Sequence, residues 1–420
     1  MYKIYFKQAM QMLKQNKFIS IISISGTALA ITMIMTIIVT DEVKTLSMAP
    51  EINRDRTLYI TSQIKRDTIK GNTYGSNLTS DIVAKYLSKL KTPEYISFMG
   101  YGTRRAVNAE GFSDYQMCDI RIIDTSFWKI FSYDFIEGNA FSEEDFKSGI
   151  ANAVISESTA KKLFKGEKAL GRTIEIAFRK IKVVGIVKDV SPVFRHAGGD
   201  IWLPYTLEGE LNELELNGTA LLMAKDKADF PKIIAEVRDV ERKFAIDNHP
   251  WILYLKGPEN QKVNTMNIWK STEQEFEEAV KIENRRSLII FLVLLIIPAL
   301  NLSGFSLSRI KKRTAEIGVR KAFGAKKYVI LIQVLYENMI TSLIGGIIGL
   351  LLSYATVNWL KTWLLKVPEG SDIPLNALLS PGVFVAVFTV CILLNLLSAG
   401  WSAFQASRMT IVNSLNKNDR

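Results

Sequence analysis

The spacing that comes nearest to a ligand-binding motif is Gly166-Glu167-Lys168-Ala169-Leu170-Gly171-Arg172-Thr173, one position away from the GxxxxGK[ST] loop whose backbone amides cradle phosphate groups. Arg172 stands where that chemistry needs a lysine. The segment also follows a helical pattern and opens a strand-like one, which reverses the strand–loop–helix order that aims a helix N-terminus at the anion. Nucleotide binding is rejected there. Metal chemistry is no better supported: His196 and His249 are the only histidines, Cys118 and Cys391 the only cysteines, and none stands at ligand spacing. Neither a GxSxG elbow nor an HExxH pair occurs. The carboxylates from Glu273 to Glu283 are spaced as one solvated helix face, not as a catalytic pair. The pattern points away from an enzyme and toward a chain that works by binding and moving.

The elements that dominate the chain are four long stretches nearly free of charge: 18–40, 287–308, 338–360 and the run that follows Pro381. About 20 helical residues at ~1.5 Å each span a hydrocarbon core of ~30 Å. Charge divides around them. Residues 1–17 carry Lys3, Lys7, Lys14 and Lys17 with no acid, and residues 309–327, after the second stretch, have eight basic residues against Glu316 alone. The tail from Arg408 adds a net +2, whereas 41–286 is close to neutral at −1. Excess Lys and Arg mark cytoplasmic pieces, so both termini and the 309–327 loop are expected inside. The net charge of +11 therefore reports membrane topology and not nucleic-acid binding.

These stretches divide the chain into an amphipathic N-terminal helix (1–17), a first span (18–40), an extracytoplasmic domain (41–260) and a stalk helix continuing into a second span (261–308). A cytoplasmic loop (309–327), third span (328–360), outer loop (361–382), fourth span (383–407) and cytoplasmic tail (408–420) complete it. The apolar run of the first span, about 22 residues, exceeds the 7–15 of a signal peptide and reads as an uncleaved anchor. Strand-like runs rich in Ile, Val and Tyr lie at 57–64, 116–123, 173–177, 181–187 and 219–224. Helical patterns lie at 78–90, 157–164 and 230–246. The expected fold is thus a four-span α-helical membrane protein with a large α/β (α+β) domain between the first and second spans. No Gly or Pro interrupts 261–297, so one helix is expected to run from the domain into the membrane, disrupted only at Pro298 and Asn301. Asn301 needs a hydrogen-bond partner inside the bundle. Gly345, Gly346 and Gly349 form a small-residue patch that lets another helix approach closely. Glu337 lies ten residues after Lys327 and is placed at the inner interface, paired with basic loop residues, in preference to a proton-relay role.

The loop itself is too short for a domain and too patterned for a linker. Glu316-Ile317-Gly318-Val319-Arg320-Lys321-Ala322-Phe323-Gly324-Ala325 resembles the EIGxRxAxGA signature of the MacB/FtsX-type ABC transporter permeases. Gln333-Val334-Leu335-Tyr336-Glu337 and the glycines at 345–349 resemble that family's next motifs, and Val183-Val184-Gly185-Ile186-Val187-Lys188-Asp189 resembles its MacB-like periplasmic core domain. Leu302-Ser303-Gly304 resembles the ABC ATPase signature only superficially, since it falls inside the second span.

The resemblance implies a permease of the bacterial cytoplasmic membrane that binds no cofactor itself, ATP and Mg being held by a separate ABC ATPase dimer docked on the 309–327 loop. Glu316, Gly318, Arg320, Lys321, Gly324 and Ala325 would form the coupling element. It also implies a second permease as partner (a further copy or a paralogue), contact with membrane lipid, and a periplasmic adaptor or lipoprotein as a candidate partner. Export or mechanotransmission is the implied activity. The alternative is a regulator that transports nothing and acts on envelope enzymes or a sensor kinase by the same motion.

Overall fold

The computed structural model describes residues 10–11, 13–15, 17–191, 193–210, 217–266, 268, 273–312, 319, 323, 327–364, and single positions at 385, 389, 393, 400 and 404. The chain divides into two compact units, one made of the long apolar helices and one running from Val43 to Glu283.

In the first unit, the helix Lys17–Glu42 runs for 26 residues. Thr27, Thr32, Thr36 and Thr40 would be poor residues for a dry helix were their hydroxyls left alone. Each donates instead to the carbonyl four residues back, at 2.7–2.8 Å. The helix Lys327–Leu364 follows later in the chain and packs against it. Among the described residues, two helices are long and apolar enough to cross a membrane: Ser20–Glu42 and Met339–Leu360. A third long helix, Glu273–Lys312, carries the second apolar stretch. It runs unbroken through Pro298 and Asn301, contrary to the disruption expected there: a proline removes one backbone donor, which a long apolar helix can tolerate. It is not continuous with residues 261–265, since Met266 lies in a turn and Ile268 is non-helical. Gln261–Thr265 forms a separate short helix, capped by Asn260, whose side chain accepts from the Val263 amide at 3.0 Å. The domain holds this short helix through side chains described below.

The second unit is an α/β domain, as the alternating pattern indicated. Strands β1 (Thr57–Ile60), β2 (Ser62–Asp67), β3 (Thr73–Thr79), β4 (Tyr95–Gly100), β5 (Thr103–Ala109), β6 (Gln116–Ile123), β7 (Phe135–Gly138) and β8 (Asn152–Ser156) form its first half. Strands β9 (Thr173–Ile176), β10 (Arg179–Val187), β11 (Ile201–Pro204), β12 (Asn217–Met223), β13 (Trp251–Lys256) and β14 (Glu259–Asn260) complete it. Six of them close on themselves in the order β11-β8-β10-β9-β5-β6, because β11 pairs with both β8 and β6. Such closure leaves no free edge in that ring. Of the others, β4-β12-β3-β2-β13 form an open sheet, β1 pairs with β12 and β14 with β1, and β7 pairs with β10 of the ring.

The helix Phe230–Asp247 packs on β13 with Ile233, Val237, Val240 and Phe244 inward, a spacing of 4, 3 and 4 that keeps one face apolar. Each such burial contributes roughly 1.5–3 kcal/mol. The core continues through Leu58, Phe98, Ile120, Ile155 and Leu222, all buried.

Candidate functional site

Three segments distant in sequence meet in one buried polar network: the turn that follows Lys17–Glu42, the loop 193–197, and the short helix Gln261–Thr265. Arg54 organises it. Its Nε donates to Glu51 Oε2 at 2.5 Å, one guanidinium nitrogen donates to the carbonyls of Val43 (2.8 Å) and Leu46 (3.0 Å), and the other reaches Val193 O at 3.3 Å. The ring of Phe194 lies 5.0 Å from the guanidinium carbon. Glu51 uses its second oxygen, Oε1, to accept from the backbone amides of His196 and Ala197, both at 2.9 Å. A buried charge is tolerable only with such complete pairing, and here the carboxylate and guanidinium satisfy one another and the backbone.

From the other side, Gln261 Nε2 donates to Lys44 O at 2.9 Å, and Asn264 Nδ2 lies 2.8 Å from His196 Nε2. With the amide nitrogen donating, Nε2 accepts and the neutral ring carries its proton on Nδ1. Burial pushes His196 down to about 4, so the imidazole is uncharged at neutral pH. It stacks on Tyr59, ring centroids 4.7 Å apart, and burial together with the nearby Glu51 carboxylate raises the Tyr59 phenol well above its usual range. β14 pairs with β1 through Tyr59↔Glu259, which sets the height of the short helix against Tyr59. Glu259 is raised to about 7 by burial, partly offset by Lys256 at 3.9 Å.

The chemical consequence is mechanical. The chain leaving the first long helix and the chain approaching the helix Glu273–Lys312 are tied to the same loop and to each other by buried side-chain bonds.

The apolar helix pair has its own close contact. A Cβ at Gly345 would lie 2.7 Å from Thr27 Cβ, and one at Gly349 would lie 2.7 Å from Ala28 O. Thr32 Oγ1, which already bonds Ala28 O, also lies 3.0 Å from Gly349 O. Gly346 is buried beside them. Ser23 and Thr27 on the facing helix are buried as well, so small residues line both sides. Asn301 lies within Glu273–Lys312. Glu316, Gly318, Arg320, Lys321, Gly324 and Ala325 lie outside the described residues. At the near-match to a phosphate loop, Arg172 pairs with Glu167 at 2.7 Å and covers the ring of Phe164, and the segment runs from the helix Glu157–Leu163 into β9.

Two families account for most of the chain. Residues 20–240 match the MacB-like periplasmic core domain, and residues 288–411 match the FtsX-like permease C-terminal domain. The chain belongs to the MacB/FtsX-type ABC transporter permease family. One relative of this permease is the macrolide export ATP-binding/permease protein MacB of Hahella chejuensis, 24% identical over 83% of this chain and 51% of that protein. Another is the ABC transporter permease YknZ of Bacillus subtilis, 21% identical over 65% of this chain and 66% of that one. The MacB of Marinobacter nauticus is 27% identical over 52% of this chain and 32% of its own length. The chain thus spans about one third to two thirds of the curated relatives it matches. The periplasmic region of MacB from Actinobacillus actinomycetemcomitans aligns with 54% of this chain at 14% identity and a TM-score of 0.39.

The network around Arg54 was not singled out from sequence. Glu51 and Arg54 stand three apart beside Pro50, an ordinary surface-turn pattern, and His196 is 145 residues from Glu51. The one available signal was a charged pair placed directly after an apolar helix.

Proposed function

We propose that this permease is the membrane subunit of an ABC transporter complex. Its 43–283 domain lies outside the cytoplasmic membrane and both termini lie inside, with four spans at 18–40, 287–308, 338–360 and 383–407. A separate ATPase dimer docks on the 309–327 loop, where Arg320 and Lys321 meet acidic residues of the ATPase and Glu316, Gly318, Gly324 and Ala325 shape the contact. ATP and Mg belong to that partner. A second permease, identical or paralogous, completes the pair. ATP-driven closure moves the long helices, and the domain moves with them, driving export or mechanotransmission of a ligand held outside the bilayer.

The observation that carries the coupling is the buried Glu51–Arg54–His196–Asn264 network. It fixes both chain segments that connect the domain to long helices, at Val43–Leu46 and at Gln261–Asn264. Family membership supports the permease role, and the excess of Lys and Arg at 309–327 supports placing the loop on the cytoplasmic side.

Copurification tests the reading. The full chain, extracted in mild detergent from its native membrane, should bring down a Walker-type ATPase in near-stoichiometric amount, and reversing the loop charge with Arg320→Glu and Lys321→Glu should remove it. Absence of any ATPase, or its unchanged recovery with the charge-reversed loop, would overturn the proposal.

A further inference from the structure

A cavity of about 500 Å³ opens within the 43–283 domain, between β6, β12 and the loop that carries His196. It is large enough for a small solute of several heavy atoms. Its wall is not the apolar lining of a packing defect. Arg121, Arg195 and Lys256 contribute three cationic side chains, opposed by the single carboxylate of Asp119, which lies 3.8 Å from Arg121.

The decisive feature is the kind of polar group left without a partner. Arg121 Nε, His196 Nδ1 and Thr219 Oγ1 are buried and make no hydrogen bond among the described residues, and all three residues line this cavity. Thr219 is 0% exposed and His196 is 4% exposed. All three atoms can donate: the guanidinium always, the hydroxyl by rotation, and His196 Nδ1 because Nε2 is occupied as acceptor toward Asn264. Buried acceptors that make no hydrogen bond among the described residues also occur in the domain, at Gln63 Oε1, Gln261 Oε1 and Glu259 Oε1 (which lies 3.9 Å from Lys256 Nζ), but none of those residues lines the cavity. Unpaired donors beside excess positive charge, with unpaired acceptors held elsewhere, describe the inverse of an oxyanion. A buried donor without a partner carries a desolvation cost that such a ligand would relieve. Arginine's planar fork suits carboxylate and phosphate oxygens in particular.

We propose that this cavity is a binding site for a small soluble oxyanion, a carboxylate or phosphate ester, held by Arg121, His196 and Thr219 with Lys256 and Arg195 supplying long-range attraction. The site shares His196 with the polar network that ties the domain to the long helices. Occupancy is therefore felt at Asn264 and at the amides that Glu51 accepts from. The binding itself does not depend on any ATPase partner.

Titration calorimetry on the purified full chain tests this with three probes on one three-carbon skeleton: glycerol 3-phosphate, glycerate and uncharged glycerol, at constant ionic strength. At least one of the two anions should bind at millimolar concentration or tighter, and glycerol should not. The stronger anion names the class. Arg121→Gln should weaken binding about tenfold or more, the usual size of one charged hydrogen bond. Thr219→Val should weaken it several-fold while leaving the fold intact, since it removes a hydroxyl that has no partner. If Arg121→Gln fails to fold, Thr219→Val decides alone. Failure of both anions to bind above the glycerol control, or affinities unchanged in the variants that fold, would overturn the proposal.

Discussion

Glu51 and Arg54 form an ion pair at 2.5 Å whose side chains are 0% and 1% exposed, three residues apart in a turn directly beyond the first long helix. A pair this deep is costly to break from one side, because the survivor is left charged and unpaired; such truncations cost ~3–5 kcal/mol. Arg54→Ala should lower the thermal midpoint of the purified chain by many degrees. Glu51→Gln should lower it at least as much, since one amide oxygen cannot serve both the Arg54 Nε and the amides of His196 and Ala197, and the buried guanidinium loses its counter-charge. Differential scanning fluorimetry of both variants checks this. Small shifts in both would show the pair to be incidental.

Gly349 should tolerate no side chain. A Cβ there would meet Ala28 O at 2.7 Å and Ile31 Cβ at 2.9 Å, and forcing atoms into a packed contact costs ~1–3 kcal/mol. Gly349→Leu should lower the stability of the detergent-solubilised protein. Leu351→Ala, two positions on and 68% exposed, should leave it unchanged. The comparison isolates helix contact from general loss of apolar surface.

Two buried groups should give opposite pH dependence. Glu259 titrates at about 7 when folded against an ordinary 4.5, so the folded state holds the proton longer and stability falls as pH rises from 4.5 to 7. His196 titrates at about 4 against 6.5, so the unfolded state binds the proton first and stability rises from pH 4 to 6.5. Over 4.5–6.5 the two trends oppose. Glu259→Gln should make the melting temperature climb more steeply with pH in that window than the wild type does, and His196→Gln should make it climb less or fall. Melting curves at half-unit intervals read this directly.

Gln261 and Asn264 should matter for coupling more than for assembly. Replacing both with alanine removes the bonds to Lys44 O and His196 Nε2 and leaves the sequence of the 309–327 loop unchanged. The expected result is normal copurification of the ATPase with a reduced cellular phenotype. Loss of copurification instead would place these residues in assembly.

Much of the domain was legible because its residues repeat with the period of their element. The 116–123 strand alternates Cys118, Ile120 and Ile122 inward, and its bounds coincide with β6. The 230–246 helix was marked by its apolar face and ends one residue later, at Asp247. The expected runs do not include β3, β4, β5, β7, β8, β11, β13 or β14, and for β8 and β11 the reason is plain. Every residue of both is buried, so there is no polar–apolar alternation to find, and Asn152 and Ser156 disguise β8 further. The single helix expected from 261 is interrupted at Met266 and Ile268, because absence of Gly and Pro permits a helix without requiring one. At 261–265, buried Gln261 and Asn264 are bound to the domain through side chains whose partners, Lys44 and His196, are far away in sequence. The polar network was illegible for the same reason: a lone histidine and an i,i+3 charge pair acquire meaning only when folding brings them within 3 Å.

Sidedness is the claim on which the coupling scheme rests, and Cys118 cannot report it, being buried with its thiol pushed up to about 12. Phe178, at the tip of the β9–β10 hairpin and 95% exposed, and Phe323, 88% exposed within the 309–327 segment, are suitable positions for introduced cysteines. In spheroplasts treated with a membrane-impermeant maleimide, Phe178→Cys should label at once, and Phe323→Cys should label only after the membrane is opened. Labelling of Phe323→Cys in sealed cells, or protection of Phe178→Cys until lysis, would contradict the arrangement.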